Sequence, residues 1–267
     1  MYAAPPEVHP MAGLLNSDKI KSSIATLLQA LLDDVLPAVQ NAGCSLKSAV
    51  LYGSAVTADY VPGRSDINVY LVADCLTLPL LKALHPVFKK HFKKLKANPV
   101  VVDQEYIADS TDVFPMEFLE WKEQSLVLYG EDPMQGIEIN AENLRLEIEE
   151  NLRGKKLRLI QSYFELDPRK KQLQPFLMSV LPNFVVVARN ILRLLDLAVT
   201  SDKISMVTAL ERKTKLELKA FKRLLQLKQE NMKLGADEAE IIFKQFLAEI
   251  DTLIEFVDKF IADGQDS

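Results

Sequence analysis

The hydrophobic pattern of the first hundred residues switches between the helix period and the strand period. Apolar residues recur at helical spacing after Ser17, which is placed to cap a helix: Ile20, Ile24, Leu27, Leu28, Leu31, Val35 and Val39. Continuous apolar runs predict strands at Leu46–Tyr52 and Ile67–Val72. A helix from Thr77 to Leu95 and a third strand from Pro99 to Tyr106 follow. This order predicts a small α/β domain.

Beyond about residue 109 the strand pattern disappears and helical spacing takes over. The segment Leu128–Pro133 contains Gly130 and is interpreted as the turn that closes the first domain. Helical patterns then begin at Asn140 and recur at Phe176–Val199, Glu211–Gln229 and Asp237–Ala262. The second half is therefore predicted to be an all-α bundle without strands.

The predicted organisation has three parts. Residues 1–16 form a flexible Ala/Pro-rich arm, residues 17–130 the α/β domain, and residues 140–263 the helical bundle. A chain of 267 residues suits one or two domains, and 48% hydrophobic residues suffice for buried cores. The net charge of −5 disfavours non-specific nucleic-acid binding by the whole molecule, but the lysines between residues 89 and 96 leave a local basic contact open.

Cysteine and histidine usage narrows the chemistry. Cys44 and Cys75 are the only cysteines and form no metal-binding spacing, so the sequence predicts two reduced thiols. The chain has three histidines, which disfavours Ser-His-Asp catalysis and His-rich metal hydrolase sites. The first residues do not resemble a signal peptide, and no run is expected to span a membrane. A cytoplasmic location without membrane partners is expected.

The candidate chemistry lies between the first two predicted strands. Gly53-Ser54 ends the first strand, eleven residues follow, and Asp66-Ile67-Asn68 opens the second. A Gly-Ser turn allows close backbone approach and offers N–H donors to phosphate oxygens. Strand residues two apart share a face, so two carboxylates at such positions can hold divalent cations that clamp a transferring phosphoryl group.

This stretch resembles the signature of the polymerase-beta-like nucleotidyltransferase superfamily, in which a Gly-Ser turn precedes Asp-hydrophobic-Asp on the next strand. The second acid is Asn68 in this chain. The resemblance implies an α/β (α+β) nucleotidyltransferase-like N-terminal domain with a small mixed sheet, followed by an all-α helical bundle domain. Kanamycin nucleotidyltransferase-like proteins pair their domains in this order. The motif-level likeness covers residues 46–106.

The resemblance also implies roles for individual residues. Nucleotide-binding positions are Gly53, Ser54, Arg64 and Ser65. Asp66 and Asn68 take the catalytic and metal-binding positions, with Mg²⁺ as the expected ion because it prefers oxygen ligands. Asn68 offers a carbonyl oxygen without charge, so a second ion is expected to bind more weakly.

Enzymes of this superfamily need a third carboxylate from a neighbouring strand. Asp103, as a metal ligand, and Glu105, as a catalytic residue, are the candidates because both fall on one face of the predicted third strand. The alternative is that both are solvent-facing residues at the end of an edge strand.

Three functions remain open on the sequence. The first is a protein that binds a nucleoside triphosphate with magnesium and has weak or lost catalysis, which Asn68 favours. The second is an active enzyme that transfers a nucleoside monophosphate to a hydroxyl of a small molecule, protein or RNA. The third is a non-catalytic helical module for interaction or homo-oligomerisation. The expected partner is a nucleotide, and nucleic-acid binding stays open.

Overall fold

The computed structural model describes residues 13–57, 60–96, 99–167 and 172–260. The chain forms two compact units. The first reaches Thr111 and continues with Glu117–Glu138, and the second takes Asp112–Met116 and the chain from Ile139 onward. The first is an α/β unit and the second is helical.

The first unit is built on one mixed sheet of four strands. They are β1 (Leu46–Tyr52), β2 (Asn68–Ala73), β3 (Val100–Asp103) and β4 (Ser125–Gly130). The strand order is β3-β2-β1-β4. β1 is antiparallel to both β2 and β4, and β2 is parallel to β3. β1 has the bounds that its apolar run predicts.

β4 corrects the expectation that no strand follows residue 109. The turn predicted at Leu128–Pro133 overlaps this strand, because Gly130 and Pro133 follow its apolar residues closely. These apolar residues become a strand by pairing with β1, a partner about eighty positions away in the chain. Gly130 ends it with φ +75, and a β-carbon there would stand 1.9 Å from the Lys47 carbonyl oxygen.

Two long helices cover one face of this sheet. They are α1 (Ser22–Asn41) and α2 (Leu78–Leu95). The core includes Leu28, Leu32 and Val35 of α1, Leu80 and Leu84 of α2, and Leu51, Val69 and Leu71 of the sheet. The expected cap at Ser17 is wrong, because Ser17–Lys19 is a separate 3-10 turn and α1 begins five residues later. Thr77 does cap α2.

The described end of the expected flexible arm is docked. The Leu14 N–H donates to Gln29 Oε1 at 3.0 Å, and the Leu15 N–H donates to the Leu128 carbonyl at 2.8 Å. The Asn16 side-chain amide donates to the Val127 carbonyl at 2.9 Å. These bonds hold residues 14–16 against α1 and β4, so the arm prediction is wrong there. Residues 1–12 lie outside the described residues.

Two shorter helices complete the part before β4. They are α3 (Gln104–Asp109) and α4 (Pro115–Glu123). The second unit then contains α5 (Ala141–Phe164), α6 (Leu173–Leu194), α7 (Lys203–Thr214), α8 (Lys219–Glu230) and α9 (Ala236–Asp258). Its described residues include no strand, as predicted.

The predicted helix Glu211–Gln229 is divided into α7 and α8. Lys215 has φ 62 and ends α7 in the left-handed region. The Glu249 carboxylate then accepts the Ala220 and Phe221 N–H groups at 2.6 and 2.9 Å, so a side chain from α9 caps the start of α8. A cap supplied from 28 residues away leaves no local signal.

Two helices bear on the expectation that no run spans a membrane. By length and composition alone, α1 and α6 are apolar enough to cross a membrane. In the structure both bury apolar side chains: Leu28, Leu31 and Val35 in α1, and Leu177, Leu181 and Ile191 in α6, are at most 1% exposed.

The cysteines also correct an expectation. Cys44 precedes β1, Cys75 follows β2, and the two form a disulfide rather than a pair of thiols. The antiparallel pairing of β1 with β2 brings them together. Disulfides are rare in reducing compartments, so the cytoplasmic location stays an untested prediction.

Candidate functional site

The Gly-Ser turn is a 3-10 turn, Gly53–Val56, at the end of β1. Gly53 has φ +76, a conformation that favours glycine. Its N–H donates to the Gln124 carbonyl at 3.0 Å, which ties the turn to the segment after α4. The Thr57 N–H donates to the Ser54 carbonyl at 3.1 Å. The turn is therefore held by backbone bonds on both sides.

Asn68 lies directly beside this turn. It is the first residue of β2 and pairs with Tyr52, the last residue of β1. A β-carbon built on Gly53 would stand 3.3 Å from Asn68 Nδ2, so the asparagine amide packs against the glycine. The antiparallel register thus brings the two ends of the motif into contact across fourteen intervening residues.

Asp66 stands two residues before Asn68 and is exposed. Ile67 and Val69 are buried in the core under α1 and α2, and the Ile67 N–H donates to the Leu95 carbonyl at 2.8 Å. Because side chains alternate along an extended chain, Asp66 and Asn68 are directed to the face opposite that core. The strand starts only at Asn68, so Asp66 lies in the loop, two positions before the strand.

The loop before Asp66 is ordered by its own hydrogen bonds. The Arg64 and Ser65 N–H groups both donate to the Val61 carbonyl, at 3.1 and 2.9 Å. Ser65 Oγ accepts from the Val61 N–H at 3.0 Å. Lys96 Nζ donates to the Gly63 carbonyl. Arg64 is exposed, whereas the Ser65 hydroxyl is engaged within the loop.

The two candidates for a third carboxylate lie elsewhere. Asp103 pairs with Ala73, five residues beyond Asn68 along β2, which is about 16 Å at 3.3 Å per residue. Its carboxylate accepts the Tyr106 N–H at 2.8 Å and caps α3. Glu105 is in α3, so the predicted strand to Tyr106 is wrong from Gln104 onward. The cap competes with extension of the strand because Asp is a strong N-cap residue.

An aromatic cluster beside Asn68 was not singled out from the sequence. Tyr52 and Tyr70 share the Asn68 face, and Trp121 of α4 stacks on Tyr70 with ring centroids 4.5 Å apart. The Tyr52 and Trp121 centroids are 5.8 Å apart. Burial raises the pKa of the Tyr52 hydroxyl, and the charge of Glu120 adds to this. Burial likewise raises the pKa of Tyr70, so both hydroxyls stay protonated at neutral pH.

The oxygen donors of Asp66 and Asn68 limit which metal ion the site could bind. Asp66 contributes one carboxylate, and Asn68 contributes an amide held against Gly53. Within the described ranges, no three His, Cys, Asp or Glu side chains converge beside the Gly-Ser turn. The residues fit one magnesium ion that keeps most of its water and is completed by substrate phosphates. They do not fit a pair of ions bridged by several carboxylates.

Comparison with known proteins gives the fold. No family model matches this sequence, and no curated protein matches it. The chain has a nucleotidyltransferase-like fold, an α/β domain with a small mixed sheet followed by an all-α domain, and shares it with a solved structure. That structure is spectinomycin adenyltransferase AAD(9) from Enterococcus faecialis with ATP and spectinomycin. The TM-score is 0.50 at 13% identity, covering 88% of this chain and 99% of the other.

Proposed function

We propose that this protein binds a nucleoside triphosphate with magnesium at the Gly53-Ser54 turn and that its nucleotidyl transfer is weak or lost. The observation that carries the proposal is the contact of Asn68 with Gly53. It puts a neutral amide at the position where the resemblance implies the second carboxylate.

Binding of the nucleotide is supported by the form of the turn. Gly53 adopts the positive φ of the turn without strain, and the first residues of a 3-10 turn have backbone N–H groups without a partner inside the turn. The similar solved structure carries ATP, and it is an adenyltransferase. Asp66 and Arg64 lie in the loop that joins this turn to β2, and both are exposed.

Weak catalysis is supported by the missing charge. Asp66 would hold magnesium, and Asn68 offers one amide oxygen. When bound, the ion would neutralise charge on the phosphate oxygens. Asp103 and Glu105 lie at the other end of β2 or beyond it, so neither replaces the absent carboxylate. A transition state rich in negative charge loses stabilisation when a metal ligand loses its charge.

The test combines metal binding with a transfer assay. Calorimetry with magnesium and a non-hydrolysable ATP analogue is expected to show binding by the wild type and tighter magnesium binding by Asn68→Asp. At 4 Å and an effective dielectric of about 20, one added charge is worth roughly 4 kcal/mol per charge pair. About a third of that survives desolvation in our expectation, which corresponds to about tenfold in affinity.

Two variants serve as controls. Gln40→Glu adds the same charge to the same unit but lies near the end of α1, before the start of β1, so magnesium affinity should not change. Asp66→Asn should abolish the magnesium-dependent part of binding. Robust transfer of labelled nucleotide by the wild type, lost in Asp66→Asn, would show that Asn68 supports catalysis. Absence of nucleotide binding by both the wild type and Asn68→Asp would remove the proposed function altogether.

A further inference from the structure

The segment that contains α2 has an unusual charge. Between Cys75 and Val102 the sequence has six lysines and no aspartate or glutamate. The chain as a whole carries −5, so the remaining residues carry a net charge of −11. One segment of an acidic protein thus carries six positive charges and no negative one.

The lysines lie along the solvent-facing side of α2. The buried residues Leu80, Leu84, His91 and Leu95 define the opposite side. Lys82, His85, Lys89 and Lys93 are exposed and follow each other at steps of three or four residues, which places them in one row. At 1.5 Å per residue the row is about 16 Å long. We call this row the lysine row.

Structural roles account for only some of these cations. Lys90 is paired with Asp34 at 2.6 Å, and Lys96 donates to the Gly63 carbonyl. Among the described residues, Lys82, Lys89, Lys93 and Lys94 have no carboxylate partner. The helix dipole favours Lys93 and Lys94 near the C-terminus, but it does not favour Lys82 in the first turns. Lys89 and Lys93 also repel each other at i, i+4.

An aromatic ring stands beside the row. Phe92 is 46% exposed and lies three residues after Lys89 and four residues before Lys96. An exposed ring between cations is the combination that binds single-stranded nucleic acids, because bases stack on the ring while lysines contact the phosphates. We propose that the exposed face of α2 binds single-stranded nucleic acid, with the lysine row and Lys94 on the phosphates and Phe92 under a base. This goes beyond the proposed function and does not depend on it.

The test is the anisotropy of a labelled single-stranded oligonucleotide of about twelve nucleotides, one DNA and one RNA. Four phosphate contacts predict that log affinity falls against log salt with a slope of about −3. The variant with Lys82, Lys89, Lys93 and Lys94 all changed to Ala should bind at least about tenfold more weakly at low salt, with a slope near zero. Changing Lys203, Lys213, Lys215 and Lys244 to Ala removes the same charge from exposed sites elsewhere and should leave the affinity within about twofold.

The ring is tested separately from the charge. Phe92→Leu keeps an apolar side chain but removes the stacking surface, and should weaken binding about tenfold with the salt slope unchanged. Leu81→Ala is the matched control, because Leu81 is also 46% exposed on α2.

Four results would overturn the proposal. They are no oligonucleotide binding at low salt, equal binding by the two four-lysine variants, an unchanged affinity in Phe92→Leu, or binding to phosphatidylserine vesicles in place of the oligonucleotide. The vesicle result, if weakened by Leu81→Ala, would assign the surface to a membrane. Circular dichroism and melting of each variant verify that these surface changes leave the fold intact.

Discussion

At the scale of single residues, three glycines with positive φ have different reasons to be glycine. Gly43, Gly53 and Gly130 have φ between +75 and +77. A β-carbon at Gly43 would meet nothing within 4 Å, whereas at Gly53 it would meet Asn68 Nδ2 at 3.3 Å. At Gly130 it would meet the Lys47 carbonyl oxygen at 1.9 Å. Gly43 is therefore required only by its backbone conformation. Gly53 is also required by its contact with Asn68, and Gly130 by the close approach of β1 in the sheet.

These differences predict a graded series of alanine variants. Gly43→Ala should lower the free energy of unfolding by about 1 kcal/mol, the conformational cost of the left-handed region. Gly53→Ala should lose somewhat more, because the asparagine amide must move by a few tenths of an ångström. Gly130→Ala should lose about 3 kcal/mol or more, since β1 and β4 must separate locally. Urea unfolding measures all three.

The contact with Asn68 is isolated by a second substitution. The double variant Gly53→Ala/Asn68→Ala loses unfolding free energy from both changes. When the loss caused by Asn68→Ala alone is subtracted, the remainder should equal the loss in Gly43→Ala. A loss at Gly53 that does not respond to Asn68→Ala would mean that the two residues are not in contact.

At the scale of elements, one carboxylate joins α1 to α2. Asp34 Oδ2 lies 2.6 Å from Lys90 Nζ and 2.6 Å from His91 Nε2. His91 is 3% exposed, so the Asp34 contact is made inside the helix pair. Hydrogen bonds from Lys90 and His91 hold the pKa of Asp34 below its ordinary value. The pair therefore carries a pH-dependent contribution to stability.

Asp34→Asn should lower the free energy of unfolding by about 1.5–3 kcal/mol at pH 7, the usual range for hydrogen bonds to charged groups. Because the pKa is lower in the folded state, the contribution is complete above the unfolded value of about 3.9 and is lost as the pH falls through the folded pKa. The unfolding free energies of the wild type and of Asp34→Asn should therefore converge as the pH falls below about 4. Urea titrations across the pH range measure this.

The neighbouring carboxylate is the control. Asp33 is exposed. In the described part of the chain its side chain has one hydrogen bond, which it accepts from Gln29 Nε2 at 2.9 Å. Asp33→Asn should change stability by less than about 0.5 kcal/mol at any pH. A difference between wild type and Asp34→Asn that stays constant with pH would show that the charge of Asp34 contributes nothing.

At the scale of the whole molecule, the candidate site is enclosed by one covalent bond. The disulfide joins residues 31 positions apart, and β1, the Gly-Ser turn, the loop and β2 all lie between them. A cross-link stabilises mainly by restricting the unfolded chain, and more so for a longer loop. The second unit has its own core in α5–α9 and no cysteine.

Removing the bond should therefore affect the first unit. Cys44→Ser with Cys75→Ser should lose about 3–4 kcal/mol of unfolding free energy, from the entropy of a loop of this size. Hydrogen exchange should accelerate in β1 and β2 and stay unchanged in α6. A reductant should reproduce this in the wild type and have no effect on the double variant. Equal acceleration in α6 would show that the chain unfolds as one cooperative body.

The sequence by itself determined those features that depend on neighbours a few positions away. The bounds of β1, the helical second half and the side of β2 that carries Asn68 all follow from periodicity, because the 3.6- and 2-residue repeats are local geometry. The order of Gly53-Ser54 and Asp66 along the chain likewise indicates the candidate site. The nucleotidyltransferase-like fold could therefore be predicted.

Only the tertiary structure decided the features that need a distant partner. β4 is a strand because β1 lies beside it, and α8 starts where Glu249 caps it. Asp103 lies away from the candidate site because β3 runs parallel to β2 and pairs Asp103 with Ala73. Cys44 meets Cys75 at one end of the antiparallel pairing of β1 with β2, and Asn68 meets Gly53 at the other. Strand pairing, register and capping by distant residues are set by tertiary packing. The local sequence pattern does not specify which distant segments pack together.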